Sequence, residues 1–583
     1  MCRVFFPKII VSFLFLLFAR ATAFASIVPA DGTTLNFTQV MFEYDQVFNA
    51  TNYRITIQSI DDTDNKDKNI VVNSPSLAIL IKEGLQFGHS YQWHYEAYNN
   101  AKLLFSSKQF SFKIATSYLI DSDLYRYRVS TNDKDLRQND ILFIENLGVA
   151  INRDGIPIWF LPYEKTGTKT EPAYRNIVLN KNGNITYLWN DNCFEKTIYG
   201  NTVWKGPNDG QVSGDTSDFY HHDFARLNDG TYVVVGWMYV NEPNPFNPSI
   251  NCRVCYNVLL QYNAAGKVIW HWTEKGHFSK QTIFEHTTPS SIATDGTHLN
   301  SFFYDEKADA FLVSLRNISR IVKIDKKTGN IIYQFGQHLI NDTTILNKTD
   351  AVFSRQHSAM LLPDNNIMFY NNNADAANKT SISYPHIVML TQPLNGADAK
   401  VVWDYECVTP QYPKGLRARE GYATLLPNNN ILVCMGGENR IFEITKNKKT
   451  VWECFYEKYT ASSDDWEPYP NYRSHFSSSL FPQYFTVSKL SAATAINPNK
   501  VFKELTIHNN GTDDDRYNVV VASAKGSIKQ QDITVAVKTG LSNNLKIKLQ
   551  QEKNIAANDE LTVTITSVNN PADTKKFSFQ LQQ

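Results

Sequence analysis

Leu179-Asn-Lys-Asn-Gly-Asn-Ile185, Leu227-Asn-Asp-Gly-Thr-Tyr232, Leu362-Pro-Asp-Asn-Asn-Ile367 and Leu426-Pro-Asn-Asn-Asn-Ile431 are four versions of one phrase. Asn and Gly tolerate the positive φ that tight turns demand, so each phrase reads as two antiparallel strands joined by a hairpin turn. A second phrase alternates with it, a turn that runs into an aromatic residue: Gly155-Ile-Pro-Ile-Trp159, Gly266-Lys-Val-Ile-Trp270, Gly329-Asn-Ile-Ile-Tyr333, Asp398-Ala-Lys-Val-Val-Trp403 and Lys448-Lys-Thr-Val-Trp452. Two hairpin signatures alternating at a spacing of tens of residues are what four-stranded blades around an axis produce. The reading is a β-propeller of about six blades, with the repeated Trp and Tyr assigned to packing between blades.

Outward from this repeat the pattern changes on both sides. From Ser26 to about Thr116, runs such as Asn52-Tyr-Arg-Ile-Thr-Ile57 and Tyr91-Gln-Trp-His-Tyr-Glu-Ala-Tyr98 alternate polar and apolar residues, as in a β-sandwich similar to a fibronectin type III module. After about Phe485 the blade signature stops, and Tyr517-Asn-Val-Val-Val-Ala522 and Leu561-Thr-Val-Thr-Ile565 suggest a second β-sandwich. The expected architecture is all-β: an N-terminal sandwich over 26–116, a six-bladed propeller over 117–485 and a C-terminal sandwich over 486–583. The last module carries no catalytic constellation and reads as a packing unit. A chain of 583 residues exceeds one hydrophobic core, which agrees with several domains.

The first residues read as an address. Arg3 and Lys8 precede the apolar run from Ile9 to Ala19, and Ala23-Phe-Ala25 offers a small-x-small cleavage site before Ser26. Residues 1–25 are therefore expected to be a signal peptide that exports the chain. An uncleaved anchor is the alternative, against which the run is short for a span; no other segment reaches spanning length. Removing the leader takes Cys2 and leaves Cys193, Cys252, Cys255, Cys407, Cys434 and Cys454. An even count in an exported chain permits disulfides, and Cys252-Arg-Val-Cys255 reads as a local disulfide or free thiols, since neither a thioredoxin-like context nor a second zinc-ligand pair accompanies it. With 13% aromatic and 20% charged residues the chain has material for packed cores, and with zero net charge and no basic tract nucleic acid is not an expected partner.

Against that neutral balance, basic side chains recur at comparable places in the repeat. His222 stands in His221-His-Asp-Phe224, just before the Leu227 phrase; His357 stands in Arg355-Gln-His-Ser358, just before the Leu362 phrase; Glu420 and Tyr422 hold the comparable place before Leu426. His298, in Asp295-Gly-Thr-His-Leu-Asn300, and Arg316, in Leu315-Arg-Asn317, bracket two runs that look like consecutive strands of one blade, so a hairpin brings them to one end. Taken singly, each His is a satisfied structural residue more often than not. Equivalent positions in successive blades gather around one axis, however, and together they point to an anion site. Arg offers a planar fork for sulfate or phosphate oxygens, and His offers a switchable proton or a nucleophile. His221, Asn300 and Tyr422 are further candidate substrate contacts.

The order His-His-Asp-Phe before Leu-Asn-Asp-Gly, then Asp-Gly-Thr-His-Leu-Asn-Ser before Val-Ser-Leu-Arg-Asn-Ile-Ser, then Gln-His-Ser-Ala-Met-Leu-Leu-Pro, resembles the bacterial arylsulfate sulfotransferases, six-bladed periplasmic propellers with an amino-terminal β-domain. The resemblance implies transfer of a sulfuryl group from a phenolic sulfate ester to a phenolic acceptor, without a nucleotide sulfate donor and without cofactor or metal. It further implies His357 as the nucleophile of a ping-pong reaction through a sulfohistidine, with His222, His298 and Arg316 holding the sulfuryl oxygens and one histidine handling the phenolic proton. Location in the periplasm follows from the same resemblance and the leader; the oligomeric state stays open. The chain departs from the family pattern in its later turns, which have Asn where Asn-Gly is usual, in its C-terminal sandwich and in its cysteine spacing.

Other chemistries lack their motifs. Cys407-Val-Thr-Pro-Gln is not a sulfatase site, and neither a phosphate-cradling Gly loop, a dinucleotide fingerprint nor a Gly-x-Ser-x-Gly elbow is present. The remaining alternative is a noncatalytic propeller that binds an anionic ligand, a glycan or a protein.

Overall fold

The computed structural model describes residues 27–47, 50–61, 69–163, 171–339, 344–374, 384–409, 419–488, 495–496, 502–571 and 573–581. The expected leader lies outside them. The chain is all-β; among the described residues the α-helical content is one turn, Lys280–Ile283, with three short 3₁₀ segments. No helix among the described residues is long and apolar enough to cross a membrane.

Strands form where side chains alternate. Asn52–Ser59 and Glu560–Ser567 bury every second residue, which is the period a pleated strand imposes. At the amino-terminal end a six-stranded sheet is faced by the hairpin-like pair Val40–Glu43 and Ala78–Ile81. Phe42 from the pair meets Trp93 of the sheet edge to face, with centroids 5.0 Å apart. At the other end a three-stranded and a five-stranded sheet enclose a core of their own around Leu505, Val519 and Ile565.

Between them, among the described residues, run six units in chain order, each built on four antiparallel strands; the third also carries the two-residue Ala293–Thr294, paired parallel, and the sixth adds Asp465–Pro468 and Tyr125–Asn132. The second to the sixth begin with Arg175–Leu179, Phe224–Arg226, Leu299–Asp305, His357–Leu361 and Tyr422–Leu425, and in each of them the next three strands follow consecutively. The first differs: Ile141–Ile144, Val149–Asn152 and Pro157–Phe160 come from one end of the stretch, and the fourth strand is Ser474–Ser477, paired antiparallel with Ile141–Ile144. The two ends of the repeat are thereby hydrogen-bonded together.

The two repeated phrases have separate structural work. In the turn phrase, Leu227, Leu362 and Leu426 each donate N–H to the carbonyl four residues on, and Gly230, Asn365 and Asn429 hold the same left-handed corner at φ 83°, 65° and 67°. Asn thus substitutes for Gly at the one position that needs positive φ. In the aromatic phrase each indole reaches across to the neighbouring sheet. Trp159 donates to Ile198 O (2.8 Å), Trp270 to Lys326 O (2.8 Å), Trp403 to Lys446 O (3.0 Å) and Trp452 to Arg153 O (2.7 Å). Trp204 stacked on Tyr232 at 3.9 Å and Tyr333 donating to Gln392 at 3.0 Å serve the two remaining junctions. The latches run from the first sheet to the sixth, and the Trp452 latch leads back to the first.

The cysteines are unpaired among the described residues. Cys252 and Cys255 sit three apart in the strand Asn247–Tyr262, so their side chains leave opposite faces and a local disulfide is not formed.

Candidate functional site

The first strands of the third, fourth and fifth units all start from a basic residue. His222 precedes Phe224–Arg226, His298 precedes Leu299–Asp305, and His357 opens His357–Leu361. The fourth unit's first two strands pair Leu299 with Leu315, and Arg316 donates its backbone N–H to His298 O at 3.0 Å, so the hairpin brings Arg316 beside His298. His222 and His298 lie in the left-handed region at φ 59° and 57°. Residues other than Gly hold that conformation at a cost of roughly 1–3 kcal/mol when the surroundings over-determine it, and such positions cluster at functional sites.

The side chains of three histidines and an aspartate form a chain. His221 Nδ1 and His222 Nδ1 are 2.7 Å apart, His222 Nε2 and His298 Nε2 are 3.1 Å apart, and His298 Nδ1 is bonded to the Asp295 carboxylate. Burial lowers the pKa of His221 to about 3 with the His298 charge adding to it, and pushes His222 well below the ordinary imidazole range, with His298 and His221 adding their repulsion. Asp295 resists the effect of burial because His298, then His221 and Arg316, stabilise its carboxylate, and its pKa is lowered.

His357 is 2% exposed and stands apart from that chain. Its Nδ1 is 3.0 Å from the Arg355 carbonyl, which can only accept, and 3.4 Å from Asn372 Nδ2; the shorter contact places the proton on Nδ1 and leaves Nε2 its lone pair. Burial, then Arg316 and His298, hold its pKa well below the usual value and keep it neutral. The Tyr472 ring bridges the two groups, with centroids 5.9 Å from His357 and 6.1 Å from His222. Its hydroxyl is buried and has no hydrogen-bond partner, and burial raises its pKa to about 12 against the pull of Arg473 and Arg175. The exposed Arg175 lies over that ring at 5.1 Å.

Under this group lies a second network, built on Arg473. Its guanidinium donates to Asp223 Oδ1 (3.0 Å), Asn176 Oδ1 (3.3 Å) and Asn300 O (2.9 Å), and its backbone N–H donates to Glu145 Oε1 (3.0 Å). Asp223 Oδ1 takes a further bond from Asn176 (2.7 Å), and its Oδ2 takes Phe302 N–H (3.0 Å). One arginine thereby ties the inner ends of the first four units. Asn300 Nδ2 continues the tie to Gln356 O in the approach to the fifth unit (2.8 Å), and Ser358 Oγ continues it to Gly421 O before the sixth (3.0 Å).

The sequence-derived candidates divide between these layers. His221, His222, His298, Arg316 and His357 belong to the upper group. Asn300 supports both: its backbone and Nδ2 are used in the ties, while Oδ1 is buried without a partner. Tyr422 belongs to the lower layer, with its ring 4.7 Å from His475 and 6.0 Å from the Arg473 guanidinium. Tyr472, Arg175, Arg473 and Asp295 were not among the candidates. The register that singles out His222 and His357, carried on into Asn471-Tyr-Arg-Ser-His475, reaches Tyr472; no turn phrase follows there to announce it. No cluster of potential metal ligands occurs among the described residues.

Residues 126–397 match the family model Arylsulfotransferase (ASST). The match covers a little under half of the chain and supports the arylsulfotransferase family for this stretch. The matched segment contains His221, His222, Asp295, His298, Arg316 and His357, whereas Tyr422, Tyr472 and Arg473 lie beyond it. This match supports sulfotransferase activity in general and small-molecule substrates. No curated protein matches the chain. Solved structures to which it is similar include a protein of unknown function from Bacteroides caccae (15% identity, 54% of this chain and 93% of that one, TM-score 0.34). A streptogramin B lyase (11%, 56% and 87%, 0.31) and the beta-propeller domain of Myceliophteria thermophila Cps50 (Swd1) (9%, 54% and 100%, 0.30) are also similar.

Proposed function

We propose that the chain is an arylsulfate sulfotransferase that moves a sulfuryl group from a phenolic sulfate ester to a phenolic acceptor, in two steps, through a sulfohistidine at His357. The observation that carries the reading is the state of His357: Nδ1 is committed to the Arg355 carbonyl, so a neutral imidazole offers Nε2, beside Arg316 and the His222–His298 pair. In the first step Nε2 attacks sulfur as the bond from sulfur to the phenolic oxygen breaks, and the phenolate leaves. In the second an acceptor oxygen attacks sulfur, the nitrogen–sulfur bond breaks and His357 is restored. Sulfuryl transfer, like phosphoryl transfer, places charge on peripheral oxygens in a loose transition state, so fixed donors supply most of the catalysis. His222, His298 and Arg316 are the donors proposed for those oxygens. No nucleotide donor is needed, because the phenolate leaves readily.

The architecture proposed to hold the site is a closed six-bladed propeller, supported by the six inter-sheet latches and by the Ser474–Ser477 strand that joins the last part of the repeat to the first. The two terminal β-modules are proposed as packing units, and residues 1–25 as a signal peptide that delivers the chain to the periplasm. N-terminal sequencing of material from the periplasm should begin near Ser26; a chain retaining Met1 overturns that part.

The transferase reading is tested with 4-nitrophenyl sulfate as donor. Nitrophenol release is expected to depend on added phenol, with phenyl sulfate as the product. Release that ignores the acceptor indicates a hydrolase, and no turnover across several phenols contradicts the reading.

A further inference from the structure

Asp295 carries an inference that goes beyond the sulfuryl-binding group, and it rests on the transferase reading above. Its carboxylate accepts and cannot donate, so its bond to His298 Nδ1 fixes the proton of that imidazole on Nδ1. His298 Nε2 is then the nitrogen that can exchange a proton, and it faces His222 Nε2 at 3.1 Å. The backbone of Asp295 is itself held. Asn317 Nδ2 donates to the Asp295 carbonyl at 2.8 Å, while Asn317 Oδ1 accepts from Arg316 at 3.1 Å and from Arg355 at 3.3 Å. One amide therefore sets the aspartate against both the arginine of the site and the loop that carries His357. The second carboxylate oxygen of Asp295, Oδ1, is buried and has no partner.

We propose that Asp295 is the positioning residue of a proton-exchanging pair with His298. While sulfur passes from the donor to His357 Nε2, doubly protonated His298 gives its Nε2 proton to the departing phenolic oxygen and is left neutral. While the acceptor oxygen attacks sulfur and the nitrogen–sulfur bond breaks, His298 Nε2 takes the phenolic proton and the imidazolium–carboxylate pair re-forms. One proton leaves and one returns in each cycle. The carboxylate lies behind the His298 ring and orients it, while burial keeps His221 and His222 neutral. The other titratable or charged groups around the pair are Arg316 on the paired strand, Cys255 and Glu274 from the third unit, and Arg175 and His357 across the site.

The test compares two donors that differ in their need for a proton, 4-nitrophenyl sulfate and phenyl sulfate, in the full-length wild-type chain, Asp295→Asn and Asp295→Glu. For Asp295→Asn, kcat/KM with phenyl sulfate is expected to fall about 10²-fold, the range of a lost general acid. With 4-nitrophenyl sulfate, whose weakly basic phenolate leaves unassisted, the fall should stay within about 5-fold, well short of a general acid's share. Asp295→Glu, which restores the carboxylate, should recover part of the phenyl sulfate rate. In a His298→Asn background the Asp295→Asn change should have no further effect on the donor ratio. An equal loss on both donors, or no loss on either, overturns the role of Asp295 and leaves the transferase reading standing. A wild-type chain inert toward both donors overturns both.

Discussion

Two buried polar networks lie one above the other in this molecule, and they are built on opposite terms. Around Arg473 the charges are matched: Asp223 and Glu145 face the guanidinium or its backbone, and of the donors and acceptors there, Arg473 Nε is an exception without a partner. Around His357 cationic and neutral nitrogen groups outnumber Asp295, and the Tyr472 hydroxyl and His221 Nε2 are buried without partners, as are the acceptors Asn300 Oδ1 and Asp295 Oδ1. Buried polar groups are normally satisfied, because an orphan costs about 1–3 kcal/mol. The lower network thus uses its polarity to hold sheets together, while the upper one leaves donors such as the Tyr472 hydroxyl open to an anion.

Substitutions can break the comparison from either side. His357→Ala is expected to lower acceptor-dependent nitrophenol release by at least about 10³-fold, as loss of a nucleophile does, while the thermal midpoint stays near that of the wild type. Arg473→Met should do the reverse in kind: stability falls by about 3 kcal/mol in urea unfolding, because Asp223 is left charged, buried and unpaired. If the two effects were exchanged, the division into layers would be wrong.

Arg316→Gln sharpens the picture within the upper layer. It should cost about 10²-fold in kcat/KM, the scale of one lost transition-state donor. It also removes the first charge, after burial, that keeps the His357 pKa low. The sign follows: activity toward the donor needs neutral His357, so the acidic limb of kcat/KM should lie well below pH about 6.5 in the wild type and move upward in Arg316→Gln. A wild-type limb at the ordinary imidazole value contradicts the assignment. The smallest effect is expected from Tyr422→Phe, since Tyr422 packs on His475 and Arg473 below the site. KM for donor and acceptor should change by less than about 2-fold, well below the tenfold that 1.4 kcal/mol of binding makes.

Much of the fold is legible in the sequence because its signals are local. The corner held by Gly230, Asn365 and Asn429 is a backbone requirement that Asn and Gly declare, and the Trp residues mark strands that reach toward the next sheet. The Ser474–Ser477 strand is not legible, since its partner Ile141–Ile144 lies over three hundred residues away and its own segment is Ser-rich without a turn phrase. His222, His298, Arg316 and His357 were readable from register, yet their relations were not. The His357 tautomer depends on the Arg355 carbonyl, in a residue at φ 55°, and the role of Asp295 depends on a side-chain bond inside a motif already in view. Arg473 and Tyr472 enter from the far end of the chain, where only the folded arrangement brings them beneath and beside the histidines.

The central claim is that His357 carries the sulfuryl group, and intact mass after incubation with 4-nitrophenyl sulfate alone tests it most directly. One added sulfuryl group is expected on the wild-type chain, mapped to His357, discharged by phenol and absent from His357→Ala. An adduct on another residue, or acceptor-dependent transfer with no adduct at all, would contradict it.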